Sequence, residues 1–250
     1  MKVEQIGLLN TLLLGIFIII GALIAFLIKK KEKVVDFSLG LAFGVIIMLI
    51  ITDLLPEITE HLGIKYIYLF IIFTFIGFVI LKILDHFIPD HEEEKMTKQE
   101  LNHNLVHIGI ITSLALALHN IIEGMAVYST VISNTTLGLV ITLGIGFHNI
   151  PLGMVIAGTF YQSNDNISKT ILSIIAVSLS TFLGGLIMFF LNITTINPVV
   201  LGILLSITLG MLIFIAFNEL LPRIKESKNK KVTNMGMAIG VIILLVAYFI

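Results

Sequence analysis

Long apolar runs alternate with short polar breaks along the whole chain. Eight runs stand out, at roughly 6–28, 36–55, 66–84, 104–128, 136–160, 168–191, 198–221 and 233–250. Each approaches the ~20 residues an α-helix needs to cross a hydrocarbon core. The first run continues straight into Lys29-Lys30-Lys31 and has no small-residue cleavage site, so it is read as a span and not as a signal peptide. The pattern predicts an all-α integral membrane protein of eight transmembrane helices, one transmembrane domain over 1–250, with a cytoplasmic loop at 85–103. Gly40 with Gly44, Ser180 with Gly184, and Gly236 with Gly240 are small residues four apart, a spacing that lets helices pack closely in lipid.

The polar breaks are not alike. Lys29, Lys30, Lys31 and Lys33 lie after the first run, Lys82, Lys95 and Lys98 around the third break, Lys169 in the fifth, and Arg223, Lys225, Lys228, Lys230 and Lys231 in the seventh. The other breaks and the start of the chain hold Lys2 and Lys65 alone. An excess of Lys and Arg marks cytoplasmic loops. Odd-numbered breaks are therefore expected in the cytoplasm, both termini outside, and the chain in the plasma membrane as a multi-pass protein.

Composition agrees with the pattern. Of 250 residues 57% are hydrophobic and 12% charged, and the formal net charge is −1. A soluble domain is about a quarter charged, so half the usual charge leaves too little to cover a water-facing surface. Nothing suggests nucleic acid as a partner; the lipid bilayer is one, and a homodimer is left open. Cysteine is absent, which removes thiolate chemistry and leaves imidazole, carboxylate, amide and water as ligands, a set suited to zinc, iron and manganese. Tryptophan is also absent, so tyrosine and lysine must anchor the interfaces.

Against this background one near-duplicate is conspicuous. HNIIEGMAV begins at His119 and HNIPLGMVIAG at His148, each in mid-span. Ionisable residues inside a membrane usually mark an ion or substrate path. His119 and Glu123 are four apart and share one helix face, with Asn120 near the same rim. Fourteen residues separate His119 from Ser133, and fourteen separate Asn134 from His148. At about 1.5 Å per residue, antiparallel neighbours bring both histidines to one depth, where two imidazoles and a carboxylate converge. Three protein ligands leave room for water or an amide oxygen, as in catalytic or transport sites. Pro151 cannot donate to the carbonyl of Phe147, and a freed carbonyl beside His148 is tolerated where it lines a cavity. Gly124 and Gly153 would let the helices approach.

A second echo, DLLPEITEH from Asp53 and NELLPRIKE from Asn218, ends two spans of opposite orientation. It reads either as an inverted repeat, which in transporters puts the site at the midplane, or as a common way to end a helix. Asp53, Glu57, Glu60 and His61 are candidates for the outer mouth, and Asp85, His86, Asn218 and Glu219 for the inner one. Met48 is a candidate soft contact or a core residue. The third break reads as an ordinary solvated linker or as a metal-collecting loop built on His86, His91, Glu92, Glu93, Glu94, His103 and His107.

At these residues the chain resembles the ZIP (Zrt-/Irt-like) metal transporters, in the prokaryotic short-loop style. HNxxEG in the fourth run, HNIPxG in the fifth, the DLLPE and NELLP segments, eight spans and a histidine-bearing third break carry the resemblance, which extends over essentially the whole chain. It implies a 3+2+3 bundle with spans 4 and 5 central and transport of divalent metals toward the cytoplasm: zinc foremost, with iron, manganese, cobalt or cadmium as further cargo. It also implies that His119, Glu123 and His148 form the family's first metal site, and that Asn120 and Asn149 match positions of its second. Two carboxylates common in prokaryotic members are missing: Leu152 stands in one position, and Thr181, within SLSTFLGG, in the other. Glu123 alone supplies too little charge for two divalent ions in low dielectric. One dominant ion is expected, its binding weakening as the histidines protonate near about pH 6. No P-loop is present, and no enzyme activity is expected. A non-transporting metal-binding or sensor protein is one alternative. An intramembrane metalloenzyme is another, but it would want HExxH or a separate carboxylate base, and the sequence has neither.

Overall fold

The computed structural model describes residues 2–27, 31–87, 98–162, 167–227 and 229–248, and among them every regular element is helical. Helices α1 (Val3–Leu27), α2 (Lys31–Leu49), α3 (Leu55–Leu62), α4 (Ile67–Phe87), α5 (Lys98–Ser133), α6 (Thr135–Gln162), α7 (Ile167–Phe190), α8 (Pro198–Phe214), α9 (Leu221–Glu226) and α10 (Lys230–Tyr248) follow in order. Two π-helical turns, Ile50–Leu54 and Ile215–Leu220, join α2 to α3 and α8 to α9. Seven helical segments among the described residues are long and apolar enough to cross a membrane: Val3–Leu27, Asp36–Leu62, Ile64–His86, Gly109–Ser133, Thr135–Gly158, Ser168–Phe190 and Pro198–Glu226. The eighth expected span falls on α10. That helix spends its first turn on Lys230 and Lys231, and its expected end at 249–250 lies outside the described residues.

Several connections among the described residues are short and locally specified. Gly63 adopts φ 58°, a backbone that β-carbon-bearing residues rarely take, and turns the chain from α3 into α4. Asn134 ends α5 and caps α6, its side-chain oxygen accepting from the Leu137 amide at 3.1 Å. Asn197 caps α8 in the same way through Val199 at 2.9 Å, and Pro198 opens the helix; proline suits a first turn because its missing N–H would have no partner there. At the opposite end, Asp36 accepts from Ser227 Oγ at 2.8 Å and Asn229 Nδ2 at 3.0 Å, tying the start of α10 to α2.

Packing follows a paired pattern. α1 lies on α6 as α7 lies on α5; α2 lies on α10 as α8 lies on α4; α2 touches α6 as α8 touches α5. The closest of these crossings rest on glycine. A Cβ on Gly153 of α6 would overlap the Ile18 carbonyl of α1, and one on Gly124 of α5 would overlap the Thr181 carbonyl of α7. Gly40 and Gly236 stand in the same relation across α2 and α10, which is the contact their spacing anticipated. α1 is thereby held close against α6, and α7 against α5.

The two π-turns have a common cause. Pro56 and Pro222 each stand at the start of the following helix and cannot donate to the carbonyl four residues back. The Leu55 amide reaches instead to Ile50, and the Leu221 amide to Ala216. The wider turn takes up one additional residue and re-aims the side chains on it.

Gly153→Leu is expected to force α1 and α6 apart and lower stability by about 1–3 kcal/mol, the usual cost of overpacking. Gly144→Ala, where a Cβ would meet nothing within 4 Å, is expected to be tolerated. Thermal unfolding of the two purified variants in detergent checks the contrast; equal melting temperatures would refute it.

Candidate metal site

His119 and Glu123 project from one face of α5, and His148 projects from α6. Their relative exposures are 4%, 8% and 6%. Glu123 Oε1 lies 3.0 Å from His148 Nε2 and 3.6 Å from His119 Nε2. One ligand atom from each of the three residues can be chosen so that all lie within 4.8 Å of one another. The antiparallel register anticipated from the sequence is the one that brings these side chains together.

The site is poor in internal partners. Neither nitrogen of His119 has a hydrogen bond, and Glu123 Oε2 has none. Buried polar atoms are almost always satisfied, and burying a carboxylate without compensation is expensive. Two imidazoles and a carboxylate with lone pairs to spare form a donor set for a borderline divalent cation.

A cavity of about 310 Å³ runs from this cluster. It is lined by Asp53 and Glu57 of the second span, by Ala126, Val127 and Thr130 of α5, and by Ile141, Gly144 and Ile145 of α6. The α5 residues follow Glu123 and the α6 residues precede His148, so the cavity leads toward the Asn134 turn, the same face as Gly63. In the other direction Ala115, Leu116, Leu152, Val155 and Ile156 are all buried, none more than 1% exposed. Among the described residues, the cavity that reaches the cluster leads toward the Asn134 face.

The remaining expected residues fall into groups. Asp53, carried on the first π-turn, comes to the cluster itself, its Oδ2 3.5 Å from His148 Nδ1. Glu57 lines the cavity one turn further out. Glu60 is exposed and His61 half-buried; neither lines this cavity. Asn120 is fully buried but turned toward α7, its Nδ2 donating to the Val177 carbonyl at 3.3 Å while its Oδ1 is unpartnered. Asn149 is fully buried with both amide atoms unpartnered. Met48 packs against the core. Asp85 and His86 lie at the end of α4 and Asn218 and Glu219 on the second π-turn, none of them in the cavity lining. His91, Glu92, Glu93 and Glu94 lie outside the described residues, as do the side chains of His103 and His107.

Asp53, expected at the outer mouth, lines the cavity and also reaches His148, a contact its place in the sequence alone did not announce. The signal was the proline three residues on, which forces the π-turn. Leu152 is buried in the apolar core, and Thr181 is fully buried with its hydroxyl unpartnered.

The chain is similar to known proteins over nearly its whole length. The zinc transporter ZupT of Clostridium perfringens is 31% identical over 266 residues, covering 96% of this chain and 93% of its own length. That of Oceanobacillus iheyensis is 32% identical over 255 residues, covering 96% and 95%, and that of an Escherichia coli strain 31% over 242 residues, covering 94% and 93%. Residues 89–247 match the family described as ZIP Zinc transporter. With a match over more than half its length and relatives aligned almost end to end, the chain belongs to the ZIP family.

Proposed function

We propose that the chain carries a divalent metal cation, zinc foremost, across the membrane toward the cytoplasm, with His119, Glu123 and His148 as transport-site ligands. The observation that carries this reading is the convergence of two imidazoles and one carboxylate at mid-span, with nitrogen and oxygen atoms left unpartnered. The zinc transporters to which the chain is similar support zinc as cargo. Iron, manganese, cobalt and cadmium also accept imidazole and carboxylate ligands and are expected to compete.

Several features favour passage over storage. The shell is incomplete, as befits a site an ion must also leave. Carboxylates of Asp53 and Glu57 line the approach. No covalent step is required, and the cation is substrate. Glu123 is the one carboxylate in the cluster of three, and Leu152 supplies none at the neighbouring position, which favours a single ion per chain.

The reciprocal packing of α1–α6 with α7–α5, and of α2–α10 with α8–α4, supports an eight-span 3+2+3 bundle of inverted repeats with α10 as the last span. The matched π-turns before Pro56 and Pro222 support the same relation. On this reading both termini lie outside, and the cavity faces outward.

Purified protein in liposomes is expected to accumulate labelled zinc above empty vesicles. Glu123→Ala and His148→Ala are each expected to weaken zinc binding by at least the ~10–100-fold typical of losing even an outer partner. Undiminished uptake by the double variant would refute the site.

Metal analysis of the native protein is expected to give one zinc per chain, reduced by either substitution. Two tightly held zinc ions per chain would refute the single-ion reading.

The absence of cysteine makes orientation directly measurable. Single cysteines replacing Lys65 and Lys225 are expected to react with an impermeant maleimide from opposite sides of the membrane, the first from outside. Labelling of both from one side would overturn the proposed topology.

A further inference from the structure

Both nitrogens of His148 face carboxylates. Nε2 lies 3.0 Å from Glu123 Oε1, and Nδ1 lies 3.5 Å from Asp53 Oδ2. These acids come from different helices: Glu123 from α5, and Asp53 from the π-turn at Ile50–Leu54. Glu123 has its second oxygen unpartnered, and its Oε1 also lies 3.6 Å from His119 Nε2. Asp53 approaches from the cavity, with its side chain 32% exposed and that of His148 8%.

A neutral imidazole has one N–H and one free lone pair, and the hydrogen bond made by one nitrogen decides which of them the other presents. We propose that Asp53 is a positioning residue of the metal site: it accepts the Nδ1–H of His148, so that Nε2 presents its lone pair to the cation beside Glu123 and His119. This rests on the reading of those three residues as transport ligands. A carboxylate behind a ligating histidine fixes the ring's orientation and raises its basicity.

The same contact closes the charge balance. With both imidazoles neutral, Glu123 contributes one negative charge and a divalent cation brings two positive ones. Asp53 supplies the second negative charge on the far side of the His148 ring. Ion and site are then neutral together in surroundings where unbalanced charge is costly. No third carboxylate is needed, which fits a chain with Leu152 and Thr181 at the positions discussed above.

The π-turn makes the contact. Pro56 denies the regular helix its hydrogen bond, and Thr52 Oγ1 donates to the Met48 carbonyl at 2.9 Å within the distorted stretch. Asp53 is held in this turn and reaches the cluster, whereas Glu60, on the regular helix beyond, does not line the cavity.

The test measures zinc affinity and uptake kinetics for the full chain carrying Asp53→Ala or Asp53→Asn, with Glu60→Gln as a charge control outside the cavity. Asp53→Ala is expected to weaken zinc binding ~10–100-fold and to raise KM by a similar factor while Vmax is largely kept. Asp53→Asn, which retains an acceptor for Nδ1–H and loses the charge, should fall between wild type and Asp53→Ala. With cobalt(II) in place of zinc, the visible absorption bands of Asp53→Asn should keep the native positions and intensity, because the ligands are unchanged. Native zinc affinity and KM in both variants would overturn the proposal, as would a cobalt spectrum showing a changed ligand set, which would make Asp53 a direct ligand. Parallel measurements on Glu123→Ala and His148→Ala separate the two readings: if these bind and carry zinc like wild type, the transport site itself is wrong, whatever Asp53 does.

Discussion

A carboxylate buried at mid-depth in an apolar bundle has to be matched by positive charge or by donors. Glu123 is that group here. It is shared by His119, one turn back on its own helix, and by His148 across the α5–α6 contact. Two neutral imidazoles do not satisfy it, and its second oxygen has no partner. The most economical arrangement in which everything at this depth is satisfied includes a cation. Glycine lets α1 press against the backbone of α6 and α7 against that of α5, and that crowding holds the three side chains in reach of one another.

The packing around that point is paired. α1 lies on α6 as α7 lies on α5, and the second and seventh spans are each broken by a π-turn ahead of a proline. The two halves of this pattern differ where chemistry is concerned. The first π-turn holds Asp53 against His148, while the second holds Asn218 and Glu219 away from the cavity. Glu123 in one central motif corresponds to Leu152 in the other. Paired packing thus surrounds an asymmetric cluster of side chains.

Much of this was legible in the sequence, for a physical reason. Histidine, asparagine and glutamate are so costly in an apolar run that their positions stand out, and the 1.5 Å rise of a helix is enough to match the depths of His119 and His148. Side-chain direction was less legible. Asn120 shares a rim with His119 by angle, yet its amide is claimed by the Val177 carbonyl. Asp53, Glu57 and His61 share a spacing of four, yet His61 is drawn toward Gly202 of α8 and Asp53 is turned inward by a π-turn that a regular helical projection does not contain. The last span was hardest to delimit because its polar start and its place at the chain end leave few turns of uninterrupted apolar helix.

The packed layer of Leu116, Leu152, Val155 and Ile156 beneath the cluster has an electrical meaning. A cavity that fills with water sustains little potential difference along its length, so most of a transmembrane voltage would fall across these buried aliphatic side chains. The cluster therefore sits electrically close to the face on which the cavity opens, and loading it moves little charge through the field. On the proposed transport reading, passing these side chains would be the step at which the ion crosses most of the field. Each elementary charge exchanges about 2.3 kcal/mol per 100 mV there, and a divalent ion about twice that. A stack of ordinary aliphatic side chains thereby determines at which point of the cycle the membrane potential acts.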